Sequence, residues 1–83
     1  MKMILITLPK IQYTILESNI LGIVCYKDDY GKINAFQIEL VNQLRGIEKF
    51  KVFDNAEQQY YALLSYLRSN ERNWLVINVD KLL

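Results

Sequence analysis

The apolar positions of the chain open with a continuous run. Met3-Ile4-Leu5-Ile6, ended by Thr7-Leu8-Pro9, predicts a strand over residues 2–7 with both faces covered. Residues 11–17 alternate instead, with Ile11, Tyr13 and Ile15 set against Gln12 and Thr14. That period fits a half-buried strand, although one turn of helix reads almost as well. Ser18-Asn19 is a turn signal, and residues 20–27, Ile-Leu-Gly-Ile-Val-Cys-Tyr-Lys, are apolar enough for a central strand. Asp28-Asp29-Tyr30-Gly31-Lys32 is the clearest loop. Aspartate favours the first position of a type I turn, and Gly31 can take the positive φ that closes it.

Residues 33–47 carry two periods at once. As a strand, Phe36, Ile38 and Leu40 alternate and form a hairpin with residues 20–27. As a helix over 34–45, Ile33, Phe36, Leu40, Leu44 and Ile47 share one face, Asn34 caps with Gln37 three residues on, and Gly46 stands at a C′ position. Only Ile38 is misplaced on that wheel, so the helix has the greater support and the strand stays open as the alternative.

The last third is better determined. Lys49-Phe50-Lys51-Val52-Phe53 alternates charge with apolar bulk, placing Phe50 and Val52 on the buried face of a strand and the lysines outside. Asp54 with Glu57 reads as a capping box opening a helix over 55–69, whose stripe is Ala56, Tyr60, Leu63, Leu64 and Leu67. Arg68 and Arg72 suit its carboxyl end, and Asn70 is a stop. Residues 74–79, Trp-Leu-Val-Ile-Asn-Val, read as a buried strand. Strand, helix and strand within 30 residues predict a right-handed βαβ unit with parallel strands. The whole is then a single α/β or α+β domain over residues 1–83. It has a mixed sheet of four or five strands, one helix over 55–69 and a second over 34–45.

Composition narrows the function classes. Leu, Ile, Val and Phe supply 30 of 83 residues, which argues against disorder of the whole chain. A formal charge of +1 lacks the basic excess of a dedicated nucleic-acid or membrane-surface binder. The single cysteine, Cys25, cannot form an internal disulfide, and zero histidines leave no Cys/His set for zinc and no histidine ligand for haem. Cys25 sits in the most apolar strand and reads as a small core residue. The apolar run at the amino terminus is shorter than a signal-peptide core, and no stretch approaches the roughly 18 residues of a membrane helix. A cytoplasmic protein is the expectation, and the abundance of Ile, Asn, Lys and Tyr suits an AT-rich bacterial or phage genome.

Catalytic constellations are missing: no histidine for proton transfer, no glycine-rich phosphate loop, no nucleophile with a visible base. The remaining candidates are carboxylates. Asp28-Asp29 follows a strand, where open α/β sheets often bind ligands, and with Asp54 or Asp80 it would make a site for a hard cation such as Mg²⁺. The plainer reading is that aspartates initiate turns and cap helices. Residues 22–80, read as strand, Asp28-Asp29, helix, strand, helix and strand, resemble the first half of a bacterial receiver domain. In that family two acids after the first strand bind Mg²⁺, and an aspartate after the third strand is phosphorylated. The resemblance implies a Mg²⁺-binding regulatory role for Asp28 and Asp29, while the phosphoacceptor place holds Asn78 or Val79.

Six tyrosines stand out. Tyr61 and Tyr66 lie off the centre of the helical stripe, and exposure of that pair would support an interface. Tyr61, Arg68, Arg72 and Trp74 make a candidate binding patch, because Tyr, Trp and Arg dominate binding hot spots. Lys49, Phe50, Lys51 and Phe53 invite a nucleic-acid reading, in which aromatic rings on a sheet stack unpaired bases. The same lysines serve equally as protection of a sheet edge. The leading expectation is a non-enzymatic protein-interaction module: an inhibitor, an immunity or antitoxin-like protein, or a self-assembling accessory subunit. Its partner is another protein or a second copy, it uses no cofactor, and it binds through the aromatic and arginine patch or a sheet edge. Nucleic-acid binding ranks second, and a receiver-like Mg²⁺-binding domain third.

Overall fold

A computed structural model describes residues 2–70, 73–79, 81 and 82, the last two by their backbone alone. The chain runs β1 (Met3–Thr7), β2 (Gln12–Leu16), a 3₁₀ turn (Glu17–Asn19), β3 (Ile20–Lys27), β4 (Ile33–Asn42), β5 (Gly46–Val52), α1 (Ala56–Arg68), β6 (Leu75–Asn78) and β7 (Lys81–Leu82). Two sheets form rather than one. The smaller has the order β2-β1-β6, with β1 antiparallel to β2 and parallel to β6. The larger is the antiparallel meander β3-β4-β5, extended on β5 by the two-residue β7. No helix among the described residues is long and apolar enough to cross a membrane.

The core lies between the sheets and under the helix. Ile4, Ile6, Ile15 and Ile77 from the smaller sheet meet Phe36, Ile38, Leu40, Phe50 and Val52 from the larger, and α1 closes the stack with Ala56, Leu63 and Tyr66. The strands at 2–7, 11–17 and 20–27 and the helix at 55–69 stand as the pattern predicts, within two residues at each end. As predicted, Phe50 and Val52 point inward.

Four expectations are corrected. Residues 34–45 are not a helix: they lie in β4, hydrogen-bonded on both sides, and in the turn after it. Its inward row is Phe36, Ile38 and Leu40, while Ala35 and Gln37, on the other face, are buried as well. The helical period was a coincidence of spacing: Phe36 and Leu40 belong to the inward row of the strand, whereas Leu44 lies in the turn and Ile47 in β5, both exposed. Gly46, which fitted a helix C′ site, takes φ +83° as the first residue of β5. There it closes a turn in which Asn42 Oδ1 accepts from the Leu44 and Arg45 amides. A glycine of positive φ serves either purpose.

Second, β3 is an edge strand and not a central one, and β6 is a partly exposed edge with Val76 half-exposed. Third, residues 49–79 do not build one βαβ sheet, since β5 and β6 belong to different sheets and the parallel neighbour of β6 is β1. With β3 and β4 antiparallel and no helix between them, the receiver-like order of elements is absent as well. Fourth, the helix N-cap is Asn55 at φ 47°, without a side-chain cap bond, so Asp54 and Glu57 do not frame the first turn as a capping box.

Candidate functional site

Asp28 holds its own turn. Its Oδ1 accepts from the Tyr30 amide at 2.8 Å and the Lys32 amide at 2.9 Å, while the Gly31 amide donates to its carbonyl. Gly31 takes the expected positive φ of 83°. The carboxylate is thus engaged in shaping the hairpin, and among the described residues no group of three or more His, Cys, Asp or Glu could hold a metal ion. Asp80 lies outside the described residues.

The patch expected from Tyr61, Arg68, Arg72 and Trp74 divides. Tyr61 is 56% exposed and Arg68 exposed on one flank of α1, where Tyr60 sets its ring against Phe36 of β4. The Tyr60 and Tyr61 rings lie 5.4 Å apart, and the half-buried Cys25 thiol is close enough to the Tyr60 hydroxyl to influence its ionisation. Burial raises the Tyr60 hydroxyl above its ordinary value, the neighbouring Cys25 adds to this, and Arg68 opposes it. Trp74, half-exposed, precedes β6, which runs along the opposite flank where Gln59 and Tyr66 reach across. Arg72 lies outside the described residues.

Of the tyrosine pair singled out for exposure, Tyr61 is exposed and Tyr66 is buried. The Tyr66 hydroxyl accepts from the Met3 amide at 3.3 Å and stands against the carbonyls of Met3 and Asn73 as donor. It continues the β1–β6 ladder one step beyond Leu75, so this side chain is structural.

The sequence did not single out the outer face of the larger sheet as a unit. The register aligns Val24 with Gln37 and Lys51, and Gly22 with Glu39 and Lys49. Tyr26, opposite Ala35, lies at one end of this face beside Phe53. The Lys51 ammonium sits 4.4 Å from the Tyr26 ring centroid and 5.3 Å from that of Phe53, within the reach of a cation–π contact. Gln37 is buried beneath this layer and donates to Glu39 Oε1 at 3.1 Å. Leu21, Val24, Tyr26, Val41, Ile47 and Phe53 of the larger sheet and its flank are all exposed by more than a third. The signal was present, since Leu21, Val24 and Tyr26 sit in an apolar strand that only an edge position would expose.

A cleft of about 520 Å³ opens between the sheets at the other end, with Tyr13, Ile15, Leu40 and Phe50 on its floor and Asn19, Asn42 and Glu48 at its rim. Glu48 is held by Arg45 at 3.5 Å. Compared with known protein families, curated proteins and solved structures, the chain matches none.

Proposed function

We propose that this chain is a non-enzymatic protein-interaction module of the cytoplasm, binding through β3, the sheet face beside it and the adjoining Tyr61–Arg68 flank of α1. The observation that carries the reading is the exposure of Leu21, Val24 and Tyr26 on an edge strand, with Phe53 beside Tyr26 under the same Lys51 ammonium. An exposed apolar surface rimmed by polar groups costs solubility unless a partner covers it, and aromatic anchors beside an arginine are the residues that give such contacts their energy. The engaged carboxylate of Asp28 also favours binding over chemistry, because it is committed to the hairpin turn.

Lys49, Lys51, Tyr26 and Phe53 favour nucleic acid as the second reading, since they share one solvent-facing layer. Against it, the Lys51 ammonium lies over the very rings a base would stack on, and Glu39 sits in the same layer. Affinity capture with the full chain separates the two. Partners held by the wild type and released by Val24→Lys and by Tyr26→Ala, at an affinity nearly independent of salt, support the protein module. A ligand lost steeply as salt rises and destroyed by ribonuclease or deoxyribonuclease supports nucleic acid. Retention of every partner by both variants refutes the assignment to β3.

A further inference from the structure

The unpartnered edge of β3 has a self-complementary pattern. Among the described residues, the other edges differ from it: Asn78 of β6 is engaged by the Gln59 amide, the larger sheet ends on its far side in the two-residue β7, and β2 has five residues beside the cleft faced by residues 40–44. Along β3 the backbone of residues 22–26 makes no hydrogen bond outside the β3–β4 ladder. The run holds no proline or charge, and register shifts bracket it at both ends, leaving five residues in straight register. Natural proteins blunt free edges with prolines, charges and bulges; here the irregularities lie only at the two ends, and the five residues between them carry none of these devices and stay available for pairing.

We propose that two copies of this chain pair antiparallel along β3 with Val24 on the two-fold axis, joining their larger sheets into one. The proposal rests on the interaction reading above and names its partner. A two-fold at Val24 sets Tyr26 of one copy opposite Gly22 of the other. A Cβ built on Gly22 meets nothing within 4 Å, so an open place lies on the sheet there. An aromatic ring laid over an edge glycine is a known way of completing such a sheet. Beyond Gly22 in the same row stands Glu39, so the Tyr26 phenol crosses the glycine toward the carboxylate of the second copy. The Lys51 ammonium, carried over that ring, brings the complementary charge. On the inner face Ile23 falls opposite Cys25, both half-buried with apolar area still to cover. Each contact occurs twice, as an isologous interface requires.

Sedimentation equilibrium on the full chain, with cysteine cross-linking, tests this. Cross-strand Cα atoms lie about 4.5–5.5 Å apart, within disulfide range, so Val24→Cys in a Cys25→Ser background should cross-link at least about tenfold faster than Leu44→Cys in the same background. Leu44 lies at the β4–β5 turn and is 96% exposed, so it reports random collision. The wild type should sediment as a reversible dimer, and Val24→Lys, which sets two ammonium groups face to face, as a folded monomer. Equal cross-linking rates, a wild type monomeric up to about 1 mM, or a Val24→Lys chain that remains dimeric would each overturn the pairing. The broader reading fails separately, only when Val24→Lys and Tyr26→Ala leave every captured partner in place.

Discussion

The Gln59 side-chain amide and the Asn78 peptide group are joined by two reciprocal hydrogen bonds. Gln59 Nε2 donates to the Asn78 carbonyl at 3.0 Å, and the Asn78 amide donates to Gln59 Oε1 at 2.8 Å. A helix side chain thereby occupies the place of a neighbouring strand on the outer edge of β6, and the same Nε2 also reaches the Asp54 carbonyl at 2.8 Å. Gln59→Ala should destabilise the fold by about 0.5–1.5 kcal/mol, the lower range for hydrogen bonds, because water can replace the amide at an exposed edge. Urea denaturation measures the loss, and hydrogen exchange should show the Asn78 amide losing protection before its neighbours.

Tyr66→Phe should cost more for a smaller chemical change. The hydroxyl serves the Met3 amide and the carbonyls of Met3 and Asn73 where only 5% of the residue is exposed, so water has poor access to the groups left behind. About 1–3 kcal/mol is the expected loss, against less than about 0.5 kcal/mol for Tyr61→Phe, whose ring faces solvent. Equal effects in thermal denaturation would contradict the structural role of Tyr66.

The contrast between those tyrosines measures what the sequence makes legible. Helical periodicity placed Ala56 and Leu63 in the core, but it assigned Tyr66 to a flank because the wheel assumes a core centred on one line. Here β6 and the start of β1 reach round that flank, and only tertiary structure shows it. The same holds for β4: local spacing matched a helix, while pairing with β3 and β5 decided for a strand. Local turn chemistry was readable at Asp28 and Gly31, since those bonds close within five residues. The joining of β6 to β1 was not, because a pairing more than 70 residues apart in the chain leaves no local trace. Among the candidate site residues, Tyr61 and Arg68 fall together on one flank, and Trp74 is parted from them by the same long-range pairing.

Asp28 offers a sharp comparison between two roles. If its carboxylate only shapes the turn, Asp28→Asn keeps an acceptor for the Tyr30 and Lys32 amides and should leave stability within about 0.5 kcal/mol. Asp28→Ala removes the acceptor and should cost about 1–2 kcal/mol. A cation site behaves otherwise, because the Asn variant loses the charge and with it any shift of the amide signals of residues 28–30 on adding Mg²⁺. The expected outcome is a wild type whose signals there do not respond to Mg²⁺ and an Asn variant as stable as the parent.

Tyr60 should make the fold sensitive to alkali. Its hydroxyl is raised above 10.0, first by burial and then by the neighbouring Cys25 thiol. The folded state therefore holds the phenolic proton more tightly than the unfolded chain. The sign follows from linkage: this contribution is fully present below the unfolded value of about 10 and is lost as pH rises through the higher folded value. In Tyr60→Phe the site no longer titrates, so the variant should lose less stability than the wild type between pH 9.5 and 11.5, roughly the window of tyrosine ionisation. The phenylalanine keeps the ring against Phe36, whose centroid lies 5.7 Å away, so packing changes little and the pH slope reports the hydroxyl. Denaturation curves for both proteins across that window settle it, and parallel loss in the two would place the alkaline sensitivity elsewhere in the chain.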